Sequence, residues 1–192
     1  MSSISKLLLG FAVLSATAFA QSNSGCPQGS YAVINSPDGG SLSVLFDEFV
    51  VEAGGNTGLE TAVKTCTLEI PLGLPTGYSI GVYKVDYRGF AALGRGQSSE
   101  LIVDYNLGPR QNGRRFRRKV KGVYDGDFVF TETLGAGQMK RVGCGEKAKL
   151  NVSIILGLQS RDRLQESMVG LDSADGAAKG GLIYHFDYKK CR

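Results

Sequence analysis

"GYSIGVYKVDYRGF", Gly77 to Phe90, decides the fold. Its apolar and aromatic residues recur at every second position, which is the period of a β-strand. Tyr78, Ile80 and Val82 fall on one face, and Tyr83, Val85 and Tyr87 fall on the other. Two arrangements give such a change of phase. Either both faces are covered, or a bulge near Val82 shifts the register.

The same period runs outward in both directions. "SLSVLFDEF" aligns Leu42, Val44 and Phe46, and it follows the turn-forming Ser36-Pro37-Asp38-Gly39-Gly40. "AVKTCTLEI" sets Cys66, Leu68 and Ile70 against Val63, Thr65 and Thr67, so Cys66 is expected to point inward. "SELIVDYNLG" aligns Leu101, Val103, Tyr105 and Leu107, and "KLNVSIILGL" aligns Leu150, Val152, Ile154 and Leu156. "DFVFTETL", "SMVGLDS" and "GLIYHFDYKKC" add shorter strands. The best helical stretch, Ser160 to Gly170, reads equally well as a loop feeding a strand, and Asp172 to Gly181 reads as a surface loop. Short strands separated by Gly and Asp clusters predict an all-β fold, an antiparallel β-sandwich of jelly-roll type with little or no helix.

The chain opens with "MSSISKLLLGFAVLSATAFA": Lys6, an apolar run from Leu7 to Leu14, then the small-x-small Ala18-Phe19-Ala20. That is the form of a secretory signal peptide, residues 1–20. The run falls short of the ~20 apolar residues that span a bilayer. Residues 21–192 suit one secreted domain, extracellular or cell-wall associated, with no membrane span. Losing Lys6 takes the formal charge from +4 to +3, so the basic character is local. Four cysteines, Cys26, Cys66, Cys144 and Cys191, in an exported chain predict two disulfides, and three pairings are open. No C-x-x-C spacing and a single histidine argue against zinc, and no cofactor is expected.

"GCPQGS", "LSVLFDEF", "KTCTLEI", "PTGYSIGVYKVDYRGFAAL", "KGVYDGDFVF" and a closing "YKKC" come in a characteristic order. In this the chain resembles the secreted domain of unknown function 4360 family of fungi and bacteria. The resemblance spans essentially the whole mature chain and is weakest after Gly157. It implies a secreted, disulfide-bearing β domain, with Cys26 joined to Cys66 and Cys144 to Cys191, and it brings no reaction with it.

The most unusual local composition is "QNGRRFRRKVKG", Gln111 to Gly122. A hairpin turn is expected at Asn112-Gly113, a favoured two-residue loop. In the strand that follows, Phe116 and Val120 face inward, while Arg115, Arg117, Lys119 and Lys121 form an exposed row ~20 Å long at ~3.3 Å per residue. Arg118 shares the inward side, so it needs a sheet edge or an acidic partner. The row fits an edge strand that repels other edges, a contact for a polyanion, or a dibasic processing site. Glu100 and Asp104 on the preceding strand could pair across to it. Only Phe116 is interleaved with the cations, which argues against nucleic acid, and acidic polysaccharides or anionic cell-surface glycans fit an exported protein better.

Signals for catalysis are few. His185 in "IYHFDY" reads as an ordinary strand histidine, and no serine sits in a nucleophile elbow. Asp47 and Glu48, being adjacent, point to opposite faces. "YDGD", Tyr124 to Asp127, reads as a turn with Gly126 at positive φ, not as a calcium loop. Asp86, Tyr87 and Arg88 read as a sugar-binding trio or as an Asp86–Arg88 pair at a strand end. Asn151-Val152-Ser153 is a glycosylation sequon on a face opposite Leu150 and Val152. The expected function is that of a non-catalytic secreted protein touching cell-wall or extracellular glycans. The alternatives are a secreted effector acting on another organism's surface, and a small extracellular hydrolase.

Overall fold

The structure, a computed structural model, describes residues 19–20, 25–108, 113–171 and 180–192. The strands are β1 (Phe19–Ala20), β2 (Tyr31–Asn35), β3 (Ser41–Phe46), β4 (Val50–Ala53), β5 (Thr61–Pro71), β6 (Tyr78–Leu93) and β7 (Ser98–Leu107). They continue with β8 (Arg114–Lys121), β9 (Tyr124–Thr133), β10 (Arg141–Gly143), β11 (Lys149–Gln159), β12 (Ser167–Gly170) and β13 (Gly181–Lys190). Among the described residues the one helical element is a single 3-10 turn, Gly55–Thr57. Apart from Phe19 and Ala20, the expected signal peptide lies outside the described residues, and so does most of the expected 172–181 loop.

Two antiparallel sheets make the sandwich. Among the described residues, one has five strands in the order β1-β5-β11-β7-β8. The other has eight and follows β2-β3-β13-β6-β12-β4, with β9 and β10 also pairing with β6. The alternating residues meet between them. Leu42, Val44 and Phe46 of β3, Cys66, Leu68 and Ile70 of β5, and Leu150, Val152, Ile154 and Leu156 of β11 are all buried in one cluster. Burying such side chains contributes roughly 25 cal/mol per Å² of apolar surface, which makes this cluster the main source of stability. The stretch 160–166 is a loop, and it feeds β12 rather than forming a helix.

The phase change in β6 is a bulge. His185 pairs with Lys84 and Phe186 with Val82, so Tyr83 is the extra residue. The bulge turns Tyr83 out to solvent while Val82, Val85 and Tyr87 stay in the core. "YDGD" is different from its expected turn. Gly126 does have a positive φ of 141°, but Tyr124 to Asp127 already pair with Leu93 to Phe90 as the start of β9.

The cysteines pair as Cys26–Cys66 and Cys144–Cys191, with Cα atoms 5.3 and 5.8 Å apart. This is the connectivity that the family resemblance implies.

Candidate functional site

On the five-stranded sheet, residues that alternate with the core line up across strands into polar rows. The register sets Thr67, Ser153, Asp104 and Arg115 side by side, and next to them Glu69, Asn151 and Asn106. In the other direction come Thr65, Ile155, Ile102 and Arg117, then Val63, Gly157, Glu100 and Lys119, then Thr61, Gln159, Ser98 and Lys121. The outer face is thus polar at both ends, with an Ile102–Ile155 saddle between. A cleft of about 500 Å³ opens at one end, lined by Thr67, Asp104, Asn106, Arg115, Asn151 and Ser153 among others. A hollow of about 300 Å³ opens at the other end, beside Ser98, Lys119, Lys121 and Gln159.

The basic row borders this face. Arg115, Arg117, Lys119 and Lys121 are exposed, Phe116 is buried and Val120 is half-buried against the core. β8 is the edge strand of its sheet, a position where charge blocks strand-to-strand association. Arg118, on the inward side, uses that edge: its guanidinium reaches solvent with its carbon 5.1 Å from the Phe116 ring centroid. The expected turn at Asn112-Gly113 falls at Asn112 outside the described residues; the last described pair between β7 and β8 is Tyr105 with Arg114.

The row is electrostatically uneven. Both nitrogens of the Arg115 fork donate to Asp104, at 2.7 and 2.8 Å, and those of Arg117 donate to Glu100, at 2.8 and 2.9 Å. The Arg117 hydrogen bonds hold the Glu100 carboxyl below its usual range, helped by the charges of Arg117 and Lys119. The same bonds raise both arginines. Lys119 and Lys121 have no ion pair among the described residues.

Asn151 lies on the outer face but is only half exposed. Its Nδ2, the atom a glycan would modify, donates to Asn106 Oδ1 at 2.8 Å and to the Gly108 carbonyl at 3.3 Å. These bonds, in a central strand, oppose modification of the folded chain.

The Asp86-Tyr87-Arg88 trio is not a surface site. Tyr87 is fully buried, and its ring stacks on Phe116 with centroids 3.7 Å apart, so it offers no platform to a sugar. The error has a physical source: a tyrosine carries both an apolar body and a polar tip, and its strand direction alone does not say which one is served. Nor does Asp86 pair with Arg88. Asp86 lies on the outward side of the eight-stranded sheet, accepts from Thr131 at 2.7 Å, and contacts His185 Nε2 at 2.9 Å and Lys84 at 3.2 Å. The partner on the same face is two residues before Asp86, not two after. Arg88 Nε is buried without a hydrogen-bond partner among the described residues.

Burial pushes the Asp86 carboxyl up, but the bonds from Thr131, His185 and Lys84 outweigh it and leave it below the ordinary value. A depressed carboxylate adds stability that is present above its unfolded pKa and lost as pH falls through the folded one. Asp86→Asn should therefore cost about 1.5–3 kcal/mol near neutral pH, the range for hydrogen bonds to a charged group. The gap from the wild type should shrink below pH ~4, where the unfolded carboxyl takes up its proton. Urea unfolding across a pH series reads this directly, and a gap that stays constant into acid would assign the loss to packing.

Arg161, which lines the 300 Å³ hollow, is the residue that sequence reasoning missed. No local pattern marks it, because it comes from the loop after β11 and meets β8 only across β7.

Two solved structures show distant likeness. TmCBM61 in complex with β-1,4-galactotriose is 11% identical, with 91% of this chain and 87% of that one covered, at a TM-score of 0.32. A family 16 carbohydrate-binding module-2 is 13% identical, with 85% and 89% covered, at a TM-score of 0.22. An "Uncharacterized secreted protein" of Arthroderma benhamiae is 27% identical over 167 residues, 87% of this chain and 67% of that protein. The family described as Domain of unknown function (DUF4360) matches residues 15–191, which take in both disulfides and both sheets, and the chain belongs to that family.

Proposed function

We propose that the protein is a secreted, non-catalytic β-sandwich that holds a cell-wall or extracellular glycan on the outer face of its five-stranded sheet. The observation that carries this reading is the continuous outer face with a hollow at each end. Its asparagines, serine and threonines offer both donors and acceptors, which suits a ligand made of hydroxyls. The Ile102–Ile155 saddle between the hollows offers apolar contact to the C–H face of a sugar ring. Export is supported by the leader-like 1–20 segment, the two disulfides and the secreted relative.

The carboxylates of this face favour binding over hydrolysis. A general acid needs a raised pKa to hold its proton near neutrality. Glu100 is lowered, and Asp104 is clamped by a two-pronged arginine. Both carboxylates are thus engaged by arginine rather than directed at a ligand.

Affinity electrophoresis through gels containing neutral and acidic cell-wall polysaccharides tests the reading. At least one polymer should retard the wild type. Ser153→Trp places a large ring in the 500 Å³ cleft, on a side chain directed away from the core, and should weaken that retardation at least tenfold, about 1.4 kcal/mol, with the fold intact. Retardation by no polymer, or equal retardation of the variant, would remove the proposal.

A further inference from the structure

The 300 Å³ hollow has a chemistry of its own. It opens where β7, β8 and β11 run into their loops, and Lys119, Lys121 and Arg161 line it together. All three are exposed, and none has an ion pair among the described residues. Glu100, the acid whose charge Lys119 feels, is already held by both prongs of Arg117. Three like charges converging on one concavity repel one another, and an anion placed among them relieves that repulsion. Lysine and arginine carry donors only, so the occupant must be an acceptor as well as an anion.

The neutral groups complete the arrangement. Gln159, Ser98 and Lys121 form one cross-strand row, and the side chains of Ser98 and Gln159 make no hydrogen bond to another described residue. They are available to a ligand. The wall behind them is fixed. Gln97 is buried, accepts from the Gly94 N–H at 2.5 Å, and donates to Ser160 Oγ at 3.0 Å and to the Gln165 carbonyl at 2.8 Å. Gly122 N–H donates to the Gln97 carbonyl at 3.0 Å, and a Cβ at Gly122 would come within 1.8 Å of the Gly94 carbonyl oxygen. The loops that carry Gly96, Gly122 and Arg161 are therefore tied to one buried residue, through the main-chain carbonyl and the side-chain amide of Gln97.

We infer that this hollow is the charge-reading subsite of the glycan face, and that the ligand is an acidic polysaccharide whose carboxylate or sulfate is bound by Lys119, Lys121 and Arg161. The inference rests on the glycan reading above and narrows it. It also divides the basic row by role. Arg115 and Arg117 are neutralised in place by Asp104 and Glu100, while the Lys119–Lys121 end joins Arg161 to hold the ligand.

Matched polymers separate the cases: dextran against dextran sulfate, and methyl-esterified against free polygalacturonate. The wild type should bind a charged member at least tenfold more tightly than its neutral partner, and added salt should weaken that preference. The sulfate pair and the carboxylate pair tell which oxyanion is read. Lys121→Gln with Arg161→Gln should remove at least tenfold of the preference for the charged member of each pair. Arg115→Gln with Asp104→Asn, which removes one ion pair whole and leaves Glu100 held by Arg117, should change the preference by less than threefold. These are surface substitutions, so circular dichroism should show folded proteins in each case. Equal losses from the two double variants would overturn the subsite. Equal binding of charged and neutral polymers would overturn it as well, while leaving the glycan face standing. Binding of none of the four would overturn both.

Discussion

Glu132→Ala should destabilise the folded domain by about 3–5 kcal/mol, the range for removing one partner from a buried charged cluster. Glu132 projects from β9 into the space between the sheets, with its side chain only 14% exposed. Its Oε2 accepts from the hydroxyls of Tyr87 and Tyr105, both at 3.0 Å, and its Oε1 accepts from Arg114 at 3.1 Å. Tyr87 belongs to the eight-stranded sheet, and Tyr105 and Arg114 to the five-stranded one, so one carboxylate joins the two layers. Burial raises both phenols, and the Glu132 charge raises them further. Both hydroxyls therefore stay protonated at neutral pH and donate to the carboxylate. Without the carboxylate, two buried hydroxyls and a guanidinium lose their acceptor together. The third tyrosine supplies the control. Tyr184 is fully buried near Tyr105, but its hydroxyl has no hydrogen-bond partner among the described residues. Tyr184→Phe removes only a desolvated group and should be neutral or slightly stabilising, whereas Tyr87→Phe should cost about 1–3 kcal/mol. Urea midpoints with unchanged m-values check all three. A Tyr184→Phe loss as large as that of Tyr87→Phe would mean that the Tyr184 hydroxyl is paired, and a loss under 1 kcal/mol for Glu132→Ala would mean that the cluster does not join the sheets.

This cluster also shows where sequence reading stops. Alternation within one strand is local, so the inward faces of β3, β5, β7 and β11 were legible, and the phase change after Val82 narrowed β6 to two arrangements, of which the bulge is the one that forms. The pairing of Arg115 and Arg117 with Asp104 and Glu100 was legible for the same reason, since β7 and β8 are consecutive and antiparallel. Tyr87 was not. Its hydroxyl is satisfied by a residue 45 positions away, on a strand whose place beside β6 no local pattern records. Arg161 escaped for a related reason: β11 pairs with β7 and β5, so the residue after β11 meets the end of β8 only once the strand order is known.

Removing either disulfide should cost about 4 kcal/mol on chain entropy alone, because the loops they close, 40 and 47 residues, are nearly equal. The native structure breaks this tie. Cys66 sits in β5 of the five-stranded sheet, fully buried, and Cys26 is buried in the segment that leads to β2 of the other sheet. That cross-link joins the layers through the core, and a Cβ at Gly25 would already be 2.4 Å from the Thr65 carbonyl oxygen and 2.7 Å from the Phe49 ring. Cys144 and Cys191 follow β10 and β13, which both pair with the start of β6, and their N–H groups donate to the carbonyls of Tyr78 and Gly77. That cross-link joins two flanks of one strand near the surface, where backbone bonds already hold the segments. Replacing Cys26 and Cys66 by alanine should therefore exceed the entropic loss, since it also removes two buried sulfurs from the core and leaves space behind. Replacing Cys144 and Cys191 should approach the entropic figure or fall below it. Urea unfolding of the two double variants measures the order. Equal losses would leave chain entropy as the whole account, and a larger loss for the Cys144–Cys191 pair would show that the end of β6 depends on its cross-link more than the two layers depend on theirs.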